Sequence, residues 1–272
     1  MDLNTITAVI RPHGRDDLPA WQAGDAVLGG GTWLFSEPQP HLRRLIDLTA
    51  CAWEPVEAGS AGLSIAATCT LAALDAFAAG AHGWSALALA GPCCRALYGS
   101  FKILNQATVG GNLCLALPAG PMTALCAALD GICLIWTPGG GERPVPVLDF
   151  VTDAGVNALR PGEILRRIDL PARTLARRAA FRQVALSPEG RSGALLIGTR
   201  DTDGAFDLTV TAATRRPVRL AFDALPDEAA LAVALDGAVP AALWYDDVHG
   251  RPDWRRHVAV RLALEIRREL AR

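Results

Sequence analysis

The sequence predicts an α+β protein in which a mixed N-terminal part is followed by a C-terminal part of strands and then helices. Over residues 1–172, short runs rich in β-branched residues alternate with segments whose apolar residues recur at helical spacing. Beyond residue 178, four apolar runs separated by turn residues come first, and two helical segments follow. Two glycine-rich stretches each follow an apolar run, which indicates sharp turns or close backbone approaches in the first part.

Length and charge limit the function classes. The 272-residue chain is 51% hydrophobic and has a formal net charge of −2, so it can bury a sizeable core in one or two domains. The near-neutral balance argues against a nucleic-acid-binding protein. No apolar run approaches the roughly 20 residues of a membrane span, and the N-terminus shows no basic-then-apolar signal segment. We therefore expect no membrane span and a cytoplasmic location.

The first part divides into two units near residue 53. In the first unit, Asp16 or Asp17 favours a short helix at 18–23, and Thr32 is a candidate start of another. The expected strands of this unit lie at 5–11, 26–28 and 45–49.

The second unit opens with a predicted hairpin at 54–67 and a helix that Thr70 caps. A mostly apolar helix should follow at 84–97, broken or bent at Pro92 because proline disrupts a helix interior. The remaining expected elements are a helix at 121–129 and strands at 131–136, 143–147 and 163–170. The segment 171–178 is the expected linker to the C-terminal part.

In the C-terminal part, the apolar runs predict an antiparallel sheet, with a hairpin turn at residues 201–204. A helix at 227–235 should follow, and a final helix should run from about Asp253 to the end of the chain. Its apolar residues recur at every fourth position under an arginine-rich outer face, which we expect to be solvated. The stripe consists of Val258, Leu262, Ile266 and Leu270.

The cysteines and histidines point to no metal or catalytic site. There are seven cysteines, no CxxC pair and no cluster-like spacing, so we expect small buried apolar side chains. The five histidines do not combine into a Ser-His-Asp or metal-spaced arrangement.

The two glycine-rich stretches are the candidate site. One runs from Leu28 through Trp33 and the other from Thr108 to Asn112. Backbone N–H groups in such loops, together with short hydroxyl and amide side chains, can cradle a phosphate. Two loops could thus hold one pyrophosphate from two sides. We expect valine at Gly30 or Gly110 to block the ligand and to leave the fold largely intact.

Six sequence blocks in a fixed order carry a resemblance to a known family. LGGGTWL resembles the LAGGTDL motif, and ATVGGNL resembles the ATIGGNL motif, of the FAD-binding subunits of molybdenum hydroxylases, the xanthine dehydrogenase and carbon monoxide dehydrogenase family. Four further blocks match at 45–48, 63–71, 99–105 and 162–171. The resemblance covers residues 1–172 well and the rest loosely.

The resemblance implies a two-subdomain FAD-binding fold of the PCMH type, with subdomains at about 1–53 and 54–172. A C-terminal domain at 179–272 would contain an antiparallel sheet and a small helical bundle. FAD would lie between the two subdomains. The implied FAD-binding residues are Leu28, Gly29, Gly30, Gly31, Thr32 and Trp33 on one side, Thr108, Gly110, Gly111 and Asn112 on the other, and Tyr98, Gly99, Leu165 and Arg182 near the ring or adenine.

Some of these implied roles compete with simpler ones. Tyr98 and Leu165 are equally compatible with ordinary core positions. Two positions depart from the family pattern: its aspartate after GGT is Trp33 here, and the acidic residue beyond GGN, which contacts the ribose in relatives, is Pro121. A rearranged or weaker ribose contact follows.

The function that the resemblance implies is that of an FAD-carrying medium subunit of an oxidoreductase, with no catalytic residue or metal of its own. Its partners would be a small subunit with two [2Fe-2S] clusters and a large molybdopterin subunit, assembled as a dimer of heterotrimers. Electrons would pass through the clusters to FAD and then to NAD, O₂ or a quinone. The alternatives are a free-standing flavin oxidoreductase and a structural subunit that has lost its flavin.

Overall fold

The N-terminal unit is a small parallel sheet. The computed structural model describes residues 3–272, and its first strands are β1 (Ala8–Ile10), β2 (Asp25–Leu28) and β3 (Arg44–Asp47). Their order is β1-β3-β2, with β3 parallel to both neighbours. The three predicted strands are confirmed, with shorter bounds for the first.

The two helices predicted in this unit are wrong. A 3₁₀ turn occupies Arg15–Asp17, and the backbone is extended from Leu18, since a residue that precedes a proline disfavours the α conformation. After β2, residues 32–36 form turns in which the Phe35 N–H donates to the Gly31 carbonyl oxygen at 2.9 Å. A single such turn is not continued as a helix.

The second unit is organised around a five-stranded antiparallel sheet. Its strands are β4 (Val56–Gly59), β5 (Gly62–Ala66), β6 (Ile132–Trp136) and β7 (Glu142–Pro146), and, after the short pair β8 (Val151–Asp153) and β9 (Val156–Asn157), β10 (Ile164–Pro171). The order in the sheet is β4-β5-β10-β6-β7, so β10 occupies the centre. The predicted hairpin and the three later strands are confirmed.

Helices cover this sheet. They are α1 (Leu71–Ala78), α2 (Ala90–Arg95), α3 (Phe101–Leu104), α4 (Val109–Leu115), α5 (Pro121–Ala128), α6 (Val147–Phe150) and α7 (Ala172–Leu175). Thr70 caps α1 as expected, because its Oγ1 accepts from the Ala73 N–H at 3.2 Å. The helix predicted at 84–97 is instead a 3₁₀ turn, Ser85–Leu89, followed by α2. Pro92 lies in the first turn of α2, where the backbone N–H groups have no acceptor within the helix, so proline removes no hydrogen bond there. The interruption of the predicted helix therefore lies before Pro92, at the start of α2.

The C-terminal part is a four-stranded antiparallel meander covered by two helices. It contains β11 (Arg178–Val184), β12 (Ala194–Arg200), β13 (Phe206–Thr211), β14 (Val218–Phe222), α8 (Glu228–Ala238) and α9 (Pro252–Leu270). The predicted order of elements is confirmed. In the stripe of α9, Val258 is half-buried and the other three residues are buried. The prediction of a solvated arginine face is wrong for Arg255, of which 1% is exposed.

The largest hydrophobic core joins the second unit to the C-terminal sheet, because Leu195, Ile197 and Ala212 belong to it.

Six of the seven cysteines are buried as expected, and Cys114 is half-buried. No helix within residues 3–272 is both long and apolar enough to cross a membrane. Over the same residues, no group of three His, Cys, Asp or Glu side chains is placed to hold a metal ion.

Candidate functional site

A cleft of about 560 Å³ lies where the first glycine-rich loop meets the second unit. Its walls come from residues 27–36, from the segment 96–103, from α4 with the two residues before it, from the turn 117–120 and from Arg191. This volume lies in the range of small-molecule and cofactor sites, which are typically lined mainly by apolar groups. Eleven of the fourteen residues predicted for the site line the cleft.

The first loop presents its backbone to the cleft. Strand β2 ends at Leu28, at the carboxyl edge of a parallel sheet, where ligands commonly bind. Within residues 3–272, the N–H groups of Gly30, Gly31, Thr32 and Trp33 have no protein acceptor. Gly31 has φ +71°, a conformation that side chains other than glycine rarely adopt. Several free N–H groups close together favour an anionic ligand such as a phosphate.

A buried ion pair fixes the strand that carries this loop. Arg44 Nε donates to Asp25 Oδ1 at 2.7 Å, and Arg44 Nη2 lies 2.6 Å from Asp25 Oδ2. Asp25 also accepts from the Gln22 N–H at 2.8 Å. The hydrogen bond from Arg44 lowers the pKa of the Asp25 carboxyl. Two parallel hydrogen bonds between these side chains therefore attach the start of β2 to β3.

The two glycine-rich segments touch each other. A Cβ on Gly30 would lie 1.5 Å from the carbonyl oxygen of Gln106, and a Cβ on Gly29 would lie 3.0 Å from Thr108 Oγ1. Only a residue without a side chain permits this approach at Gly30. The two units are thus in direct contact beside the cleft.

The second glycine-rich segment is the first turn of α4 rather than a loop. Thr108 is its N-cap, and Thr108 Oγ1 accepts from the Gly111 N–H at 3.0 Å. The N–H groups of Val109 and Gly110 donate to the carbonyl oxygens of Cys69 and Ala67 at 2.9 and 3.0 Å. The N–H of Asn112 donates to the Thr108 carbonyl oxygen at 3.0 Å. These backbone donors are therefore used inside the protein.

Side chains remain available on this wall. The Asn112 Oδ1 accepts from the Met122 N–H at 3.0 Å, while its amide nitrogen has no partner in the range that the structure describes. Thr108 is 5% exposed. Its hydroxyl oxygen accepts from the Gly111 N–H, and the hydroxyl hydrogen remains available as a donor. A ligand in the cleft would thus meet polar side chains here and backbone N–H groups on the opposite loop.

Tyr98 and Gly99 line the same cleft. Tyr98 is 46% exposed and has φ +51°, a left-handed conformation that costs a non-glycine residue about 1–2 kcal/mol. A Cβ on Gly99 would lie 2.8 Å from Ile103 Cγ2. Backbone strain of this kind is concentrated at functional sites. The exposure of Tyr98 distinguishes it from an ordinary core aromatic.

Three predicted residues lie outside the cleft lining. Gly110 is buried, and a Cβ there would lie 2.5 Å from the Cβ of Ala67. Leu165 is 3% exposed and pairs with Ile135 between β10 and β6, so it is a core residue of the sheet. Arg182 is bound to two carboxylates of α9: its Nε lies 3.2 Å from Glu265 Oε2, and its Nη2 lies 2.7 Å from a Glu269 oxygen.

One residue that lines the cleft was not predicted from the sequence. Arg191, from the turn between β11 and β12, is the single formally charged side chain among the described residues that line the cleft. The lining contains no carboxylate. Cys114 also lines the cleft, and burial raises the pKa of its thiol to about 12, so it stays neutral. No local sequence signal connects Arg191 to the glycine loops, because the contact depends on packing of the C-terminal part.

Comparisons with known proteins agree with this geometry. A family model described as the FAD binding domain in molybdopterin dehydrogenase matches residues 13–173, more than half of the chain. Caffeine dehydrogenase subunit beta from Pseudomonas sp. (strain CBB1) is 34% identical over 84 residues, a stretch that spans 31% of this chain and only 28% of that relative.

Two solved structures share the fold. Reconstituted CO dehydrogenase from Oligotropha carboxidovorans aligns with a TM-score of 0.78 at 22% identity, over 95% of this chain and 96% of that chain. Quinoline 2-oxidoreductase from Pseudomonas putida 86 aligns with a TM-score of 0.73 at 20% identity, over 90% of this chain and 89% of that chain. The expected α+β fold of the PCMH type is thereby confirmed. The chain belongs to the family of FAD-binding domains of molybdopterin dehydrogenases.

Proposed function

We propose that this chain is the FAD-carrying medium subunit of a molybdopterin-dependent oxidoreductase and that it passes electrons from iron–sulfur clusters to a final acceptor. The observation that carries the proposal is the cleft in which a loop with free N–H groups meets the N-cap of α4, within a domain of this family. A bound flavin can exchange single electrons with clusters and hydride equivalents with soluble acceptors.

The residues of the cleft fit FAD. The N–H groups of Gly30 to Trp33 suit a pyrophosphate. The indole of Trp33 and the phenol of Tyr98 supply flat apolar surfaces on which a ring system can stack. Thr108 and Asn112 supply polar contacts on the other wall.

The chemistry of the lining favours electron transfer over substrate chemistry. Among the residues described, the cleft contains no carboxylate and no histidine, and Cys114 is held neutral. General acid–base catalysis requires a group that titrates near the working pH and lies within hydrogen-bond reach. A free-standing flavin oxidoreductase would depend on Tyr98 alone, so the subunit role is the better supported of the two.

The proposed partners are a small subunit with two [2Fe-2S] clusters and a large molybdopterin subunit. Support comes from the name of the relative, a beta subunit of caffeine dehydrogenase, and from the description of the family. Beside the mouth of the cleft, Tyr98, Phe101 and Ile103 are exposed, by 71% for Phe101. Exposed apolar side chains in a cluster are typical of protein–protein contacts. We propose NAD, O₂ or a quinone as the final acceptor.

The test uses the complex of this chain with both proposed partners, prepared with and without FAD. With FAD removed, a reducing organic substrate should still bleach the cluster absorbance in a single turnover, while reduction of the natural acceptor should stop. The isolated chain should not oxidise aldehydes or N-heterocycles. Turnover by the lone chain, or acceptor reduction at the full rate without FAD, would contradict the proposal.

A further inference from the structure

Arg191 brings a positive charge from the C-terminal part into the cleft. It lies in the turn at residues 185–193 between β11 and β12, and its side chain is exposed to solvent at the cleft surface. The two glycine-rich segments contain no basic residue, and the family resemblance assigned the nearest cation to Arg182. Because Arg182 is held by Glu265 and Glu269, Arg191 is the arginine that remains available to a ligand.

A chain of contacts ties this turn to the α4 wall. The turn ends at Gly193, whose carbonyl oxygen accepts from Arg255 Nη1 at 2.6 Å. The same Nη1 donates to the Ala212 carbonyl oxygen at 2.6 Å, and the Ala212 N–H donates to the Pro118 carbonyl oxygen at 2.8 Å. Pro118 belongs to the turn 117–120 of the cleft, so the hydrogen bond from Ala212 joins the two parts. The buried guanidinium of Arg255 connects the end of the Arg191 turn to Ala212.

The turn 117–120 reaches the first turn of α4. A Cβ on Gly120 would lie 3.1 Å from Asn112 Oδ1, and a Cβ on Gly111 would lie 2.8 Å from Thr108 Oγ1. Thr108 in turn faces Gly29 of the first loop. The turn that carries Arg191 is thus connected, through these contacts, to the wall of the cleft that contains Asn112.

Charge favours a phosphate at this point. A pyrophosphate carries two negative charges, and burial of charge is costly unless a partner compensates it. The free N–H groups supply only partial charges, whereas a guanidinium supplies a full charge and can donate two parallel hydrogen bonds to a phosphate. The cleft lining that the structure describes contains no carboxylate to compete for Arg191.

We propose that Arg191 is a nucleotide-binding residue that pairs with the pyrophosphate of FAD across the cleft. This inference rests on the proposed function, since it takes FAD as the ligand. It assigns to the C-terminal part a role in cofactor affinity, in addition to the two glycine-rich segments.

The test compares FAD with riboflavin, which has the same ring system and no phosphate. The flavin-free full-length chain is titrated with each compound, and binding is followed by quenching of flavin fluorescence. Arg191→Gln should weaken FAD binding about tenfold, in line with the loss of a charge-assisted hydrogen bond, and should change riboflavin binding less than about twofold. Arg191→Lys should recover part of the FAD affinity.

The control is Arg261→Gln, which makes the same chemical change at an exposed position of α9 away from the cleft. It should leave both affinities unchanged. Wild-type affinity for FAD, but not for riboflavin, should also fall with salt, which provides a measure that needs no variant. Equal losses for both compounds in Arg191→Gln, or no loss for FAD, would overturn the inference. Failure of the wild-type chain to bind FAD would instead refute the proposed function.

Discussion

Gly30 and Gln106 are in backbone contact beside the cleft: a Cβ on Gly30 would lie 1.5 Å from the Gln106 carbonyl oxygen. This contact joins the loop after β2 to the residues that lead into α4. It explains why the position requires glycine even though φ at Gly30 is not in the left-handed region. The loop after β2 therefore lies directly against the segment that leads into α4.

Gly30→Val should abolish most FAD binding. A branched side chain must push the loop away from Gln106, which separates the free N–H groups from Thr108. We expect flavin occupancy to fall at least about tenfold in equilibrium dialysis. The matched control is Gly59→Val in β4, where a Cβ would have open space. Unchanged occupancy in Gly30→Val would show that the loop contact does not control the site.

Gly110→Val should behave differently. Its Cβ would meet the Cβ, Cα and carbonyl oxygen of Ala67 at 2.5–2.7 Å, all inside the core. Overpacking of this kind costs about 1–3 kcal/mol, or more where backbone atoms are involved. We therefore expect a lower melting temperature even without flavin, in contrast to the sequence-based expectation of an intact fold. A melting temperature equal to that of the wild-type chain, with flavin lost, would support the earlier expectation.

This difference shows what sequence patterns could and could not establish. The apolar periodicities predicted the four C-terminal strands and α5, α8 and α9, because local propensity and burial agree there. The glycine pairs predicted which segments form the cleft. The internal use of the Gly110 N–H could not be predicted, since it depends on where Ala67 packs.

The two arginines illustrate the same limit. Arg182 lies in β11 and Arg191 lies in the turn that follows it, and neither has a local signature that distinguishes a ligand contact from an ion pair. Their roles differ because α9 packs on β11 and supplies carboxylates to Arg182 alone. Arg182→Gln should accordingly leave FAD affinity within about twofold of the wild-type value, measured by the same fluorescence titration. A loss comparable to that of Arg191→Gln would restore the role that the resemblance implied.

Thr108 should contribute to both stability and binding. Thr108→Val removes the oxygen that caps α4 at the Gly111 N–H, and such a loss typically costs about 1 kcal/mol. Thr108→Ser retains the oxygen and is the control. We expect the valine variant to melt at a lower temperature and to bind FAD more weakly, with the serine variant close to wild type in both. Equal behaviour of the two variants would indicate that the hydroxyl has no part in the cleft.

The pair of Asp25 and Arg44 should make stability depend on pH. The hydrogen bond from Arg44 lowers the pKa of Asp25 in the folded state, so the stabilisation is present above the unfolded-state value of about 3.9 and is lost as pH falls through the folded-state pKa. Asp25→Asn should therefore lower the urea midpoint at pH 7, and the difference from wild type should shrink on acidification below about pH 4.

The control for that experiment is Asp16→Asn, at an exposed position in the 3₁₀ turn. It should not alter the urea midpoint at pH 7. A difference between Asp25→Asn and wild type that grows as the solution is acidified would contradict the assignment of this ion pair as the anchor of β2.

The most direct test of the central claim is the flavin content of the purified full-length chain after incubation with FAD and removal of the excess. Acid release followed by chromatography and mass spectrometry identifies and counts the nucleotide. We expect about one FAD per chain, bound non-covalently, in the wild-type protein, and far less in Gly30→Val with the fold retained by circular dichroism. A folded wild-type chain that retains no FAD, alone or in complex with its partners, would contradict it.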